Sequence, residues 1–197
     1  MLILFDIDDT LLDERRATRV AAAALHSRLE SEVESQEFTA RWAESSERHF
    51  ARYLAGEVSF QEQRRARVRE ASSSDLPDSL ADDLFAAYLS EYEGSWSLFP
   101  DVLPCFTSLG EHRLGVVSNG SGAQQREKLS RLGLLDRLEC IVLSEECGCA
   151  KPDPRIFLRA CELGGSAPCD AVHVGDRIDV RLQAVDPDRG HIDFAVG

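Results

Sequence analysis

Leu2-Ile3-Leu4-Phe5 is an unbroken apolar run that stops abruptly in carboxylates, at Asp6, Asp8 and Asp9. A run this short and this apolar reads as a β-strand buried on both faces, the situation of strands in a parallel sheet covered by helices. The rest of the chain must then supply parallel partners and helical layers, and from Phe99 onward it does. Strand-like runs at Leu114–Val117, Cys140–Leu143 and Ala171–Val174 alternate with helical stretches at Ala123–Leu132 and Pro154–Leu163, and Ile192–Val196 is a last strand candidate. Such alternation predicts βαβ units, hence an α/β fold with a Rossmann-like parallel sheet.

Between Glu14 and Tyr92 the pattern is different. The stretch is rich in Ala, Arg and Glu with helical spacing, and breaks near Ser35, Gly56–Ser59 and Ser72–Pro77 divide it into about four helices. Residues 14–75 are also balanced in charge, so the net charge of −13 is carried by the remainder. Together these shifts predict a core built from 1–13 and 93–197 and an inserted helical bundle at 14–92.

That acidic surface repels nucleic acid and anionic lipid, so neither is an expected partner. No stretch approaches the roughly 20 apolar residues of a membrane span, and Asp6 interrupts the first apolar run before a secretory segment could form. The expectation is a cytoplasmic protein with no membrane partner. Its six cysteines are expected to be reduced thiols. Cys147-Gly148-Cys149 could bind a soft metal, but no second pair stands at zinc-finger spacing, which favours free thiols.

Ligands of parallel α/β sheets bind beyond the carboxyl ends of the strands, and four polar clusters fall at four such ends. They are Asp6-Ile7-Asp8-Asp9-Thr10, Ser118-Asn119-Gly120, Lys151-Pro152 and Gly175-Asp176. Two carboxylates at i and i+2 on a strand end share one space, where one can attack and the other handle protons. A third, Asp176, converging on them makes a hard divalent cation such as Mg²⁺ the natural occupant. Lys151 and Ser118 add a positive charge and a hydroxyl, a set that suits a phosphoryl group. Each cluster alone also has a plainer reading, as a turn or a solvated lysine; their joint position at strand ends is what favours chemistry.

In this order and at these separations the four clusters resemble the motifs of the haloacid dehalogenase-like hydrolase superfamily, and 14–92 stands in the place of a C1-type cap. The stretch from Leu114 to Phe157 is similar to bacterial pyrimidine 5′-nucleotidases and N-acylneuraminate-9-phosphatases. Asp8, two residues after the nucleophile position, matches phosphatases and phosphomutases rather than dehalogenases. The resemblance implies a phosphatase acting on a small phosphorylated metabolite, a nucleoside monophosphate or a sugar phosphate. It implies that Asp6 attacks phosphorus, that Asp8 serves as acid and base, and that Lys151 neutralises the phosphoryl group. Thr10, Ser118, Asn119 and Gly120 would bind substrate, and Asp6, the backbone carbonyl of Asp8, Asp176 and Asp179 would bind Mg²⁺. A phosphomutase-like transferase and a catalytically weakened binding protein are the alternatives.

The chain departs from that pattern in two places. Arg181 occupies the position of the usual second acid of the fourth motif, where it would either invert the local charge and weaken metal binding or leave Asp179 to replace the acid through a water, and Gly197 comes soon after the last strand candidate. A sheet edge left there would be covered by a partner subunit, so a monomer or a homodimer is expected. Three further features carry structural readings: Arg64, Arg65, Arg67 and Arg69 as a solvated helix face rather than an anion site, Trp42, His49 and Tyr53 as core or pocket lining, and His173 as a core histidine on a buried strand.

Overall fold

The computed structural model describes residues 1–29, 31 and 33–175, and the backbone of two strands at 180–186 and 191–196. The chain divides into two units, Met1–Leu11 with Phe99–Gly197, and Leu12–Leu98.

In the first unit β1 (Leu2–Phe5) lies within a four-stranded parallel sheet with β2 (Arg113–Ser118), β3 (Cys140–Leu143) and β4 (Ala171–Val174), in the order β3-β2-β1-β4. The α/β expectation is met, and so is the buried first strand: all four β1 residues are buried. Leu2 pairs with Arg113 on one side and Ala171 on the other, and Phe5 with Val116 and Val174. Successive strands move to one side of β1 and then jump to the other, so the strand order reverses between β1 and β4. That reversal opens a crevice at their carboxyl ends. Leu2, Leu4, Val117, Cys140, Val142, Ile156 and Ala160 form the apolar cluster beneath it.

Helices α5 (Val102–Ser108), α6 (Gly122–Arg131), α7 (Ser144–Cys147) and α8 (Pro154–Leu163) connect the strands. Helix α8 begins where it does because Pro154 fits the first helical position and Asp153 caps it, accepting from Arg155 N at 2.9 Å. The short α5 is not anticipated by the sequence pattern. The last strand candidate does form a strand, β6 (His191–Val196), but its partner is β5 (Val180–Asp186) in a separate antiparallel pair.

The second unit holds four helices among its described residues, α1 (Glu14–Arg28), α2 (Ser35–Leu54), α3 (Phe60–Ser72) and α4 (Asp78–Gly94). Asp13 caps α1 through Arg16 N, and Ser59 with Glu62 forms a capping box on α3. Ala17, Ala21, Ala22, Leu25, Phe38, Trp42, Val68, Ala81, Phe85, Tyr88 and Tyr92 make its core. Trp42 is thus core. His49 instead meets Glu70 Oε2 at 3.0 Å, and Tyr53 packs between the Phe50 and Phe60 rings.

The arginine quartet is neither a solvated face nor an open anion site. Arg65 donates to both Asp82 oxygens at 2.7 Å and to Asp78 at 2.5 Å, and Arg69 reaches Asp78 at 2.5 Å, joining α3 to α4. Arg64 lies over Phe60 and Phe85, and Arg67 over Trp42, Phe85 and Tyr88. The reason is helical spacing: i and i+4 place Arg65 and Arg69 on one stripe and leave Arg64 and Arg67 turned toward the aromatic core. Arg65 holds the Asp82 carboxyl down to about 2. His173 is half-buried on a strand whose Val172 and Val174 are exposed, and its ring meets Phe157 edge-on at 5.1 Å; the fully buried strand expected for it is not observed, since the face of β4 that carries Val172 and Val174 is open. No helix among the described residues is long and apolar enough to cross a membrane.

Candidate active site

Asp6 follows β1 directly, and its backbone continues the ladder by donating to Val174 O at 2.9 Å. This fixes the carboxylate at the crevice, where it is only 6% exposed. Lys151 Nζ lies 2.6 Å from Asp6 Oδ1, with both side chains nearly closed to solvent. An ion pair so far removed from water keeps much of its Coulomb attraction and both charges in place.

Asp9 adopts a left-handed φ of 55°, turning the chain so that Thr10 N and Leu11 N donate back to Ile7 O. Asp8 stands on that turn, and α6 reaches it with two side chains. Gln125 Nε2 donates to Asp8 Oδ2 at 2.8 Å, and Lys128 Nζ contacts Asp8 Oδ1 at 2.6 Å. Lys128 is 2% exposed, a strongly buried ammonium held by that carboxylate. Neither Gln125 nor Lys128 is among the site residues expected from the sequence. Their i, i+3 spacing on the helix after Ser118-Asn119-Gly120 is the available signal, since it puts both on one face.

Ser118 ends β2 and is buried, its hydroxyl accepting from Gln125 Nε2 at 3.0 Å. Asn119 does not present its amide outward. Its Nδ2 donates to Lys151 O at 3.1 Å and its Oδ1 accepts from Lys151 N at 2.7 Å. The Lys151–Pro152 peptide is cis. Gly120 N donates to Ser144 Oγ and Gly122 N to Glu145 Oε2, while Arg126 makes a two-pronged contact with Glu146 at 2.8 Å. Three successive residues at the start of α7 are thereby docked on α6 and the turn before it. Gly175 comes so close to the end of β1 that a Cβ there would lie 2.7 Å from Thr10 Oγ1 and 2.8 Å from Asp6 Cβ, and its φ is +122°.

The structure thus gathers Asp6, Asp8, Thr10, Ser118, Asn119, Gly120 and Lys151 around the ends of β1 and β2. Asp176 and Asp179 lie outside the described residues, as does the side chain of Arg181. Both Asp8 carboxylate oxygens have donors; the atom that the family resemblance assigns to a cation is its backbone carbonyl. The Asp6 carboxylate and that carbonyl are hard oxygen donors of the kind Mg²⁺ takes, so the donors fit the ion in chemistry. Among the described residues no three His, Cys, Asp or Glu side chains converge closely enough to hold a metal by themselves.

The sequence profile of haloacid dehalogenase-like hydrolases matches residues 1–184. Glyceraldehyde 3-phosphate phosphatase of Methanopyrus kandleri is 32% identical over an alignment covering 90% of this chain and 76% of the relative. N-acylneuraminate-9-phosphatase of Rattus norvegicus is 26% identical, with 92% and 76% covered. Among solved structures, the magnesium-bound HAD-hydrolase YfnB of Bacillus subtilis is similar at a TM-score of 0.69 and 22% identity, over 90% of this chain and 78% of that one.

Proposed function

The chain belongs to the haloacid dehalogenase-like hydrolases, and from that premise we propose that it is a Mg²⁺-dependent phosphatase of a small phosphomonoester, acting through a phosphorylated Asp6. What supports the reading most is the buried Asp6–Lys151 pair at 2.6 Å, a nucleophile and a phosphate-neutralising charge side by side at the sheet's switch point. The relatives named for the hydrolysis of sugar phosphates support these ahead of nucleoside monophosphates as substrates.

In this mechanism the Asp6 carboxylate attacks phosphorus, and the bond from phosphorus to the leaving oxygen breaks. Asp8 enters this step protonated, gives that oxygen its proton and then, as the carboxylate that Lys128 holds, takes a proton from the water that hydrolyses the acyl phosphate, which restores the acid for the next turnover. Lys151 and the Ser118 hydroxyl hold the phosphoryl oxygens, and Lys128 with Gln125 orients the Asp8 carboxyl. Asp6, the Asp8 carbonyl, Asp176 and Asp179 would hold Mg²⁺, which when bound neutralises phosphoryl charge. The helical unit at 14–92 would act as the cap that selects substrate. We place the enzyme in the cytoplasm, as a monomer or homodimer, consistent with six cysteines that are all free.

The test is phosphate release from a panel of sugar phosphates and nucleoside monophosphates, with Mg²⁺ and with a chelator, for the parent and Asp6→Asn. Turnover that needs the metal and vanishes in Asp6→Asn is expected. A folded parent inactive on every compound would favour a binding protein instead.

A further inference from the structure

Cys147 and Cys149 are brought face to face by the residue between them. Helix α7 ends at Cys147, and Gly148 adopts the left-handed φ of +72° with its N–H returned to Ser144 O at 2.9 Å. That αL cap reverses the chain, so the side chains at i and i+2 fall on the same side. Their sulfurs are 3.3 Å apart. Both residues are partly open to solvent, in contrast to Cys140 and Cys161, which are buried.

The segment that carries this pair is anchored at both ends. Upstream, Ser144, Glu145 and Glu146 are docked on α6 and its preceding turn; downstream, the Asn119 amide holds the backbone of Lys151. Closing an S–S bond shortens the sulfur separation to about 2.05 Å and imposes its own dihedral preference. With Ser144–Glu146 fixed, the adjustment has to be taken up between Cys147 and Lys151.

We propose that Cys147 and Cys149 are a redox modification site, a dithiol that closes to an intrachain disulfide under peroxide and thereby shifts the Lys151 ammonium relative to Asp6. The consequence for turnover rests on the phosphatase reading; the disulfide itself does not. One thiolate attacks the peroxide O–O bond, giving a sulfenic acid and one water. The second sulfur then displaces the hydroxyl from the sulfenic sulfur, forming the S–S bond and releasing a second water. Two thiols lose two electrons and two protons, and hydrogen peroxide takes up both. Burial, followed by the contact with Cys147, pushes the Cys149 thiol up, so the reaction is run on the alkaline side.

The full chain is treated with hydrogen peroxide, and peptide mass mapping locates the modification. Turnover and the acylation of Lys151 by an amine-reactive ester are followed in parallel, before and after dithiothreitol. A Cys147–Cys149 crosslink is expected, with turnover down about tenfold, Lys151 newly labelled, and both changes reversed by the reductant. Cys147→Ser and Cys149→Ser should retain turnover and lose both responses. Oxidation confined to Cys105 or Cys169, or sulfinic acids with no crosslink, would overturn the dithiol. A crosslink that leaves Lys151 labelling unchanged would overturn the coupling, and both of these outcomes can be read even if the parent hydrolyses no phosphomonoester.

Discussion

The Asn119 amide grips the Lys151 backbone from both sides, donating to its carbonyl at 3.1 Å and accepting from its N–H at 2.7 Å. The end of β2 is thereby tied to a loop 32 residues away, and the position of the ammonium depends on that tie. Asn119→Ala removes both bonds without touching a charged group. We expect kcat to fall about a hundredfold, the scale of a misplacement near 1 Å, with native helix content by circular dichroism. Unchanged kcat would show that Lys151 is held by other means.

Lys128→Met leaves the Asp8 carboxylate without its cation at 2.6 Å. The expected loss in kcat is about 10- to 100-fold, part of what a positioned general acid and base contributes. Lys128→Arg should recover some of it, whereas a purely packing role would favour Met over Arg. Steady-state kinetics of the two variants separate these outcomes.

Gly175→Ala puts a methyl group against Thr10 Oγ1 and Asp6 Cβ, in a backbone conformation that side chains rarely adopt. A destabilisation of about 1–3 kcal/mol is expected from strain and overpacking. Because the clash lies on Asp6 itself, kcat should fall in the same variant, which thermal unfolding and kinetics would register together.

Acid should loosen the Leu12–Leu98 unit. Asp82 titrates near 3.8 when free and at about 2 beside Arg65, so its stabilising contribution is complete above the unfolded value and is lost as pH falls through the folded one. Melting temperatures measured from pH 5 to 2 should drop more steeply for the parent than for Asp82→Asn, which starts lower at neutral pH. Parallel curves would mean that the pair does not stabilise the fold.

The strand-end clusters are legible in the sequence because they depend on local order: an apolar run, its end, and the polar residues just beyond it. Asp6, Asp8, Ser118 and Lys151 can therefore be named before their convergence is visible. Lys128 cannot, since a lysine on a helix reads as solvated until the packing of α6 against the turn after β1 is known. Asn119 reads as a substrate ligand for a similar reason, because its partner lies in a distant loop. The arginine quartet misleads because charge along a helix says nothing of which neighbours face it, and β5 is hidden in a stretch whose apolar residues are interrupted by Arg181, Gln183 and Asp186.

The interior place of β1 has a consequence for biosynthesis. Leu2 finds its two neighbours only at Arg113 and Ala171, so a ribosome must translate for on the order of ten seconds before the second of them is made. Throughout that interval the most apolar strand of the sheet is a nascent segment whose finished register is incomplete. The intervening helices can form from local contacts as they emerge, whereas β1 must wait for both of its neighbours, which lie far downstream in the chain.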